Sequence, residues 1–380
     1  MNEEERVLIV GAGIGGLALA IGLERRGLRP VLVERAPGFG AVGAGIILGV
    51  NAMAMLRRLG LDESARRVGH VLGVGEVTDR RGRCLSRMDF RSLESEFGPT
   101  IAIHRAFLHE LLLSACSDLE SHTGTTVERL VDHGEVVEVE LSDGSVSEFD
   151  RVIGADGLHS RTRTQIFGET PPTYAGYTCW RFVVRTPRGL DRMQEMWGVG
   201  KRLGLVPIGG GRVYCFACAN APEGDEDPLE GRIERFRKRF AEFEGHAPAV
   251  VEQLERADQL IHNDLAERPG HAWHRGRVLL IGDAAHAMTP NMGQGAAMAL
   301  EDAVILVEML ASGASWERVL PAFIERRGPR VRFVADQSRR IGWLGQLESR
   351  PLAAFRNGLM KLVPQRIADA TARRAAATRI

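Results

Sequence analysis

The run Gly11-Ala12-Gly13-Ile14-Gly15-Gly16 follows directly on the apolar stretch Arg6-Val7-Leu8-Ile9-Val10. Lacking a Cβ, Gly11 permits a tight turn, Gly13 leaves the backbone open to a pyrophosphate, and Gly16 allows the next segment to pack closely. Leu17 to Arg26 has helical apolar spacing and stops near Gly27; Pro30-Val31-Leu32-Val33-Glu34 reads as a second strand. A helix that starts at such a turn offers unpaired N–H groups and a partial positive charge to phosphate oxygens. Glu34 lies 18 residues past Gly16, where a carboxylate can accept from a ribose diol. The unit is a dinucleotide-binding strand–turn–helix–strand, and its glycines do not choose between FAD and NAD.

Two further glycine-bearing segments follow strands. Arg151-Val152-Ile153-Gly154 runs into Ala155-Asp156-Gly157, with Ser160 and Arg163 beyond; alone, this is a strand-to-turn junction. Arg277 to Ile281 is a buried strand that meets Gly282-Asp283-Ala284-Ala285-His286, then Pro290, Gly293-Gln294-Gly295 and Glu301-Asp302. Asp283 stands at the carboxyl end of its strand, where α/β folds place ligand groups. Gly293 and Gly295 open a helix to about Leu310, a second backbone-amide site. His286 suits a structural hydrogen bond better than a catalytic base. Cys215-Phe216-Ala217-Cys218 lies in a strand pattern that turns alternate residues to opposite faces, so these thiols read as structural and no metal site is expected. There is no Gly-x-Ser-x-Gly elbow, and no protein nucleophile is evident.

The elements that must position these groups are legible in outline. Residues 51–60, 104–118 and 228–242 and most of the chain after 310 read as helical; 71–90 suggests strands, and Val136 to Val146 a hairpin turning at Asp143-Gly144. Tyr177 to Val184, Arg202 to Pro207 and Arg212 to Ala219 suggest an antiparallel sheet across 173–261. The chain has 380 residues, 44% hydrophobic and 26% charged, enough for two or three domains with real cores. Forty-nine basic side chains balance 49 acidic ones, which argues against a nucleic-acid binder. Five scattered cysteines fit a reducing, cytoplasmic setting. No secretory signal and no apolar run long enough for a membrane span is expected. The last 60 residues carry 13 Lys/Arg against 4 Asp/Glu, which reads first as a solvated helical face.

In order and spacing, the three glycine segments resemble the single-component flavoprotein aromatic monooxygenases of the para-hydroxybenzoate hydroxylase type, over about residues 5–345. The resemblance implies a mixed α/β fold: a glutathione-reductase-like Rossmann FAD-binding domain, an inserted antiparallel-sheet substrate domain and C-terminal helices. It divides the chain into a discontinuous FAD-binding domain (1–70, 96–172 and 262–345), a substrate-binding domain (71–95 and 173–261) and a C-terminal helical segment (346–380). It assigns to FAD Gly11, Gly13, Gly15, Gly16, Glu34, Arg35, Gly45, Ile47, Arg105, Val127, Asp156, Asp283, Gly293, Gln294, Gly295, Ala296 and Ala297. Arg181, Arg202 and Tyr214 on the sheet, with Pro290 beside the flavin, become the substrate-facing residues. Trp180 and Trp197 are weighed as pocket walls but suit core packing better.

Within that family the wording is nearest the branch of flavin-dependent urate hydroxylase and zeaxanthin epoxidase, through Tyr174-Ala175-Gly176-Tyr177, Gly200-Lys201-Arg202 and Pro290 to Gly295. Asn291 falls where the urate enzyme is expected to carry a carboxylate, and there it resembles the epoxidase-like members. The implied activity is hydroxylation of an aromatic or heteroaromatic small molecule: NADH or NADPH reduces FAD, and O2 adds at the flavin C4a position to give the hydroxylating hydroperoxide. Epoxidation or hydroxylation of a larger polyene- or quinone-like substrate is the second enzyme reading. A flavin-free lipid-binding protein of the Rab-GDI type is the non-enzymatic one. The Trp-x-Trp-x-Ile-Pro motif of flavin halogenases is absent from the sequence. A monomer or homodimer is expected.

Overall fold

The apolar strands Val7–Val10 (β1) and Val31–Glu34 (β2) are buried on both faces, as central parallel strands must be. In the computed structural model, which describes residues 5–40, 43–92, 94, 98–116, 119–269, 272–363 and 373, they centre a six-stranded sheet. Its order is β18-β19-β12-β1-β2-β8, adding Glu120–Thr123 (β8), Arg151–Gly154 (β12), His274–Arg275 (β18) and Val278–Leu280 (β19). All pair parallel except β18 at the edge. Each of the three glycine segments leaves the carboxyl end of one of these parallel strands, so the topology collects them on one side of the sheet.

A second sheet of seven strands has the order β17-β13-β16-β15-β14-β5-β6. It is built from Val74–Asp79 (β5), Cys84–Asp89 (β6), Thr173–Arg185 (β13), Met193–Trp197 (β14), Lys201–Gly209 (β15), Arg212–Asn220 (β16) and Ile261–Glu267 (β17). Two small sheets complete the strands: β3-β7-β4 (Gly45–Leu48, Ile101–His104, His70–Val71) and the meander β11-β10-β9 (Val146–Phe149, Val137–Leu141, Val127–Asp132). The expected antiparallel sheet needs one correction. β14 and β5 run parallel, because the long chain between them supplies the crossover that parallel strands need. β17 also continues to Glu267, past residue 261.

Directly opposed residues of antiparallel strands share a face. The registers Val183↔Tyr214, Arg181↔Phe216 and Cys179↔Cys218 therefore put these six side chains on one face of the seven-stranded sheet. Trp180, Phe182, Leu203, Leu205 and Cys215 lie on the other, under Ile233, Phe236 and Phe240 of the Arg232–Phe240 helix. Trp180 and Trp197 thus do not form the pocket wall. Trp180 is core and stacks on His262, and Arg356 lies over Trp197.

The first helix spans Ile14–Glu24 rather than Leu17 to Arg26. Glycine is a poor helix former, but close packing decides here: a Cβ on Gly16 would sit 2.0 Å from the Gly11 carbonyl oxygen. The helix expected over 104–118 is shorter, Arg105–Leu113, with the His104 ring nitrogen accepting from the Ala106 N–H at its start. The Ile14–Glu24 helix crosses the Gly295–Leu310 helix at glycine contacts. A Cβ on Gly15 would lie 3.3 Å from Ala299 Cβ, and one on Gly22 2.7 Å from Val307 Cγ2. Gly22→Val should therefore overpack the crossing and destabilise the protein by about 1–3 kcal/mol, read as a lower denaturant midpoint at unchanged slope. Adding Val307→Ala should recover part of that loss; a Gly22→Val protein as stable as wild type would refute the tight crossing.

Candidate active site

At the first glycine segment, Gly11 has a φ of +104°, and a Cβ there would lie 2.7 Å from the Ala155 carbonyl oxygen. The first and second glycine segments are thus in direct contact. Gly13 is open, with Ala155 O 4.0 Å from its Cβ direction. Glu34 is fixed by two backbone donors: the Ala12 N–H to Oε2 and the Ala36 N–H to Oε1, each at 2.8 Å. Each oxygen retains a lone pair, as binding a ribose diol requires. Arg35 follows it, exposed. Val127 is buried at the start of β9, after a turn in which the Gly124 and Thr125 N–H groups bond the carbonyls of Ala36 and Glu34. His109, which sequence reasoning missed, reaches back from the Arg105–Leu113 helix and donates from Nε2 to the Ala12 carbonyl at 2.8 Å.

The second segment is tied inward. Asp156 accepts from Ser160 Oγ at 2.6 Å and from the Thr162 N–H and hydroxyl at 3.0 Å each, capping the Arg161–Phe167 helix. Its carboxylate is spent on that cap, and what it presents toward Gly11 is its backbone. Buried Arg163 donates to the Ala284 carbonyl at 3.2 Å and joins the second segment to the third.

The third segment rests on a buried charge cluster. Asp302 Oδ2 accepts from the Gly282 N–H at 2.9 Å and from His286 Nε2 at 2.6 Å; Oδ1 accepts from Arg327 Nε at 2.7 Å. Burial opposes the Asp302 charge, but His286, Arg327 and the Gly282 N–H outweigh it and hold the carboxyl down at about 2. His286 is structural, as its sequence position suggested. Glu301 binds Arg327 and Arg330, and Asn51 Nδ2 donates to both Glu301 Oε1 (2.8 Å) and Gln294 Oε1 (2.9 Å). Asp283 itself is open to solvent within a wall of protein atoms. That partial desolvation raises its pKa, and His286 and Arg105 pull it back. Arg105 also packs its side chain against Gly43.

Gly293 (φ +62°), Gln294, Gly295 and Ala296 form the partly accessible N-terminus of the 16-residue Gly295–Leu310 helix, with Ala297 buried behind them. Ile47 Cβ lies 3.8 Å from the Gly293 Cβ direction, and a Cβ on Gly45 would fall 2.4 Å from Tyr214 Cβ. The flavin-side candidates therefore meet the substrate-side sheet at Tyr214. Arg181 shares the sheet face of Tyr214 and donates to Asn263 Oδ1 at 3.2 Å. Burial raises the Tyr214 hydroxyl well above its usual pKa, so it stays protonated at neutral pH. Phe216 lies flat over Gly204, where a Cβ would come within 2.0 Å of its ring. A glycine inside a strand pattern is the signal that could have found this aromatic wall.

Arg202 is buried and committed to three protein partners. Its Nη2 donates to Asn291 Oδ1 (2.7 Å), Nη1 to Glu195 (3.1 Å) and Nε to Gln346 (3.2 Å), and its plane lies over Tyr177. These bonds brace the Pro290–Met292 turn, a positioning role beside the substrate-facing one expected from the sequence. Pro290 sits exposed on that turn. Arg202→Met should strand the buried Glu195 carboxylate and cost about 3–5 kcal/mol by denaturant unfolding. Arg202→Met with Glu195→Gln should restore most of it; an unrecovered loss would speak against the pair. At the other end of the site, Glu34→Ala should weaken dinucleotide binding about ten- to hundredfold by flavin titration, and should also lower apo-protein melting, because the Ala12 and Ala36 N–H groups lose their acceptor.

The FAD binding domain family matches residues 4–338, and the chain belongs to that family. It is 39% identical over 372 residues to the aurachin C monooxygenase/isomerase of Stigmatella aurantiaca, covering 97% of each chain. It is also 39% identical over 364 residues to the 2-heptyl-3-hydroxy-4(1H)-quinolone synthase of Pseudomonas aeruginosa, covering 94% of each. Among solved structures it is similar to Klebsiella pneumoniae HpxO complexed with FAD and uric acid, with a TM-score of 0.91, 26% identity, and 99% and 97% of the two chains covered. The chain is an FAD-dependent monooxygenase of aromatic or heteroaromatic compounds, and enzymes of this kind use NAD(P)H and O2. The flavin-free alternative is not favoured. No helix among the described residues is long and apolar enough to cross a membrane.

Proposed function

We propose that the substrate is a flat, neutral heteroaromatic of the 4-quinolone type carrying an apolar side chain, and that it lies between the sheet face and the Gly45–Ile47 strand. The observation that carries this is the character of that face. Val183, Val206, Phe216 and Ile47 cluster there, and the nearby cation Arg202 is already neutralised by Glu195. A urate-like anion would have to compete with Glu195 for Arg202, and the Asn291 amide adds no charge of its own. The two 39% identical relatives, one named for a heptyl quinolone, support the same reading.

The cradle fits FAD: it offers an open glycine at Gly13, a Glu34 carboxylate with spare lone pairs, and an open helix start at Gly295. Bound FAD supplies the electron transfer and oxygen activation. The chain's own residues do the rest. Gly11, Gly13 and the Ile14–Glu24 helix start would hold the pyrophosphate, and Glu34 the adenosine ribose. Asp283 would hold the ribityl–phosphate region. The N–H groups at Gly295, Ala296 and Ala297 would stabilise negative charge on the flavin. Pro290 would wall the site beside it. The Tyr214 hydroxyl, on the same sheet face as Arg181, orients the substrate's ring oxygen, and the Phe216 side excludes water. The five scattered cysteines support a cytoplasmic setting. The basic C-terminus disfavours self-association, so a monomer is the preferred state.

The test is NAD(P)H oxidation by the flavin-loaded enzyme with 2-heptyl-4-quinolone, hydroxybenzoates and uric acid. The quinolone should stimulate oxidation and yield a product one oxygen atom heavier. Tyr214→Phe should lower kcat/KM about ten- to hundredfold with flavin binding intact. Turnover of urate, with none of the quinolone, would overturn the reading.

A further inference from the structure

The helix Arg350–Leu362 is packed inside out. It buries Ala353 and Arg356 and exposes Leu352, Phe355, Leu359 and Leu362, with Phe355 70% and Leu362 78% accessible. The spacing of the four puts them on one stripe three turns long. Scattered apolar residues on a surface are ordinary; a continuous stripe marks an interaction surface. Arg356 locks this orientation. It donates to the carbonyls of Leu344 (2.9 Å), Gly345 (3.4 Å) and Gly198 (3.1 Å), two of them carbonyls that the end of the Trp316–Gly345 helix leaves without helical partners. Rolling the leucines inward would break those bonds. Trp343, 68% accessible, stands on the adjoining helix end.

Charge selects the partner. The helix carries Arg350 and Lys361, and the sequence beyond it adds Arg366, Arg373, Arg374 and Arg379 against the single Asp369. A second copy of the chain would bring the same cations face to face across a two-fold axis, which is repulsive. An anionic lipid surface complements both features: apolar side chains enter the headgroup–acyl boundary, and lysines and arginines meet the phosphates.

We propose that the Arg350–Leu362 helix docks this protein on anionic lipid, lying in the interface without crossing it. Trp343 also lines a cleft of about 770 Å³ with Tyr174, Tyr177, Thr289, Gly342 and Gln346, so the docked end adjoins an opening that runs up to the Pro290 turn. Delivery of a substrate's apolar tail from the bilayer by that route rests on the quinolone reading; the docking does not.

The experiment is co-sedimentation of the full-length, flavin-loaded protein with phosphatidylcholine vesicles, with and without phosphatidylglycerol. Wild type should bind the phosphatidylglycerol vesicles and release at high salt. Phe355→Glu with Leu359→Glu should weaken binding at least about tenfold. Flavin absorbance, melting temperature and turnover of a short-chain, water-soluble quinolone should not change, because both side chains point outward. Wild type remaining in the supernatant with both vesicles, or a double variant that binds equally well, overturns the docking. So does a dimer, seen by light scattering, that the double variant splits, since that assigns the stripe to a second copy. None of these readings uses substrate, so the docking and the quinolone reading fail separately.

Discussion

Two adjacent carboxylates, Glu301 and Asp302, are fully buried in the Gly295–Leu310 helix, and the geometry of the cofactor side follows from how their charge is met. A buried carboxylate without partners is not tolerated. Here Arg327 and Arg330 come from the Trp316–Gly345 helix, His286 and the Gly282 N–H from the loop after β19, and Asn51 from the segment after β3. The carboxylates thus dictate where three separate pieces of chain lie. One of those pieces, the Gly282–Asp283 loop, and Gln294, which Asn51 bonds, belong to the proposed flavin site. The cluster does not touch substrate. It works by leaving those backbone N–H groups only one place to be.

The same reasoning explains what was legible in the sequence. Gly11 to Gly16, Glu34 and Gly293 to Gly295 were readable because each role is local: a turn, a close backbone approach, a helix start. Asn51, His109, Arg163 and Arg327 were not, because each acts on a partner far away in the chain; Asn51 reaches Glu301 across 250 positions. Sheet residues fell between these cases. Alternation along β13 and β16 shows that Trp180 and Arg181 point to opposite sides, but not which side meets the cofactor domain. Arg202 was placed at the substrate for its type and strand, and only the fold brings Glu195, Asn291 and Gln346 to it. Gly204 carried a usable signal, a glycine in a buried strand, and it marks where Phe216 lies.

The end of the Trp316–Gly345 helix extends this logic to the surface. Gly342 and Gly345 stand one turn apart. A Cβ on the first would lie 2.6 Å from Asn291 Nδ2, and one on the second 2.6 Å from Arg202 Cδ. The helix backbone therefore packs directly on the two side chains that brace the Pro290 turn. The carbonyl of Gly345 also accepts from Arg356, the residue that turns the last helix inside out. The path from the exposed leucines to the site wall is one continuous set of close contacts: Arg356, Gly345, Arg202, Asn291, Pro290. Contacts this tight have no slack, and packed interiors shift as units rather than deform. Whatever holds the leucine stripe thereby fixes the direction in which the Trp343-lined opening faces, with no change of conformation needed. Orientation alone suffices: an amphiphilic molecule meets the opening tail first or ring first according to how the protein lies on the surface that supplies it.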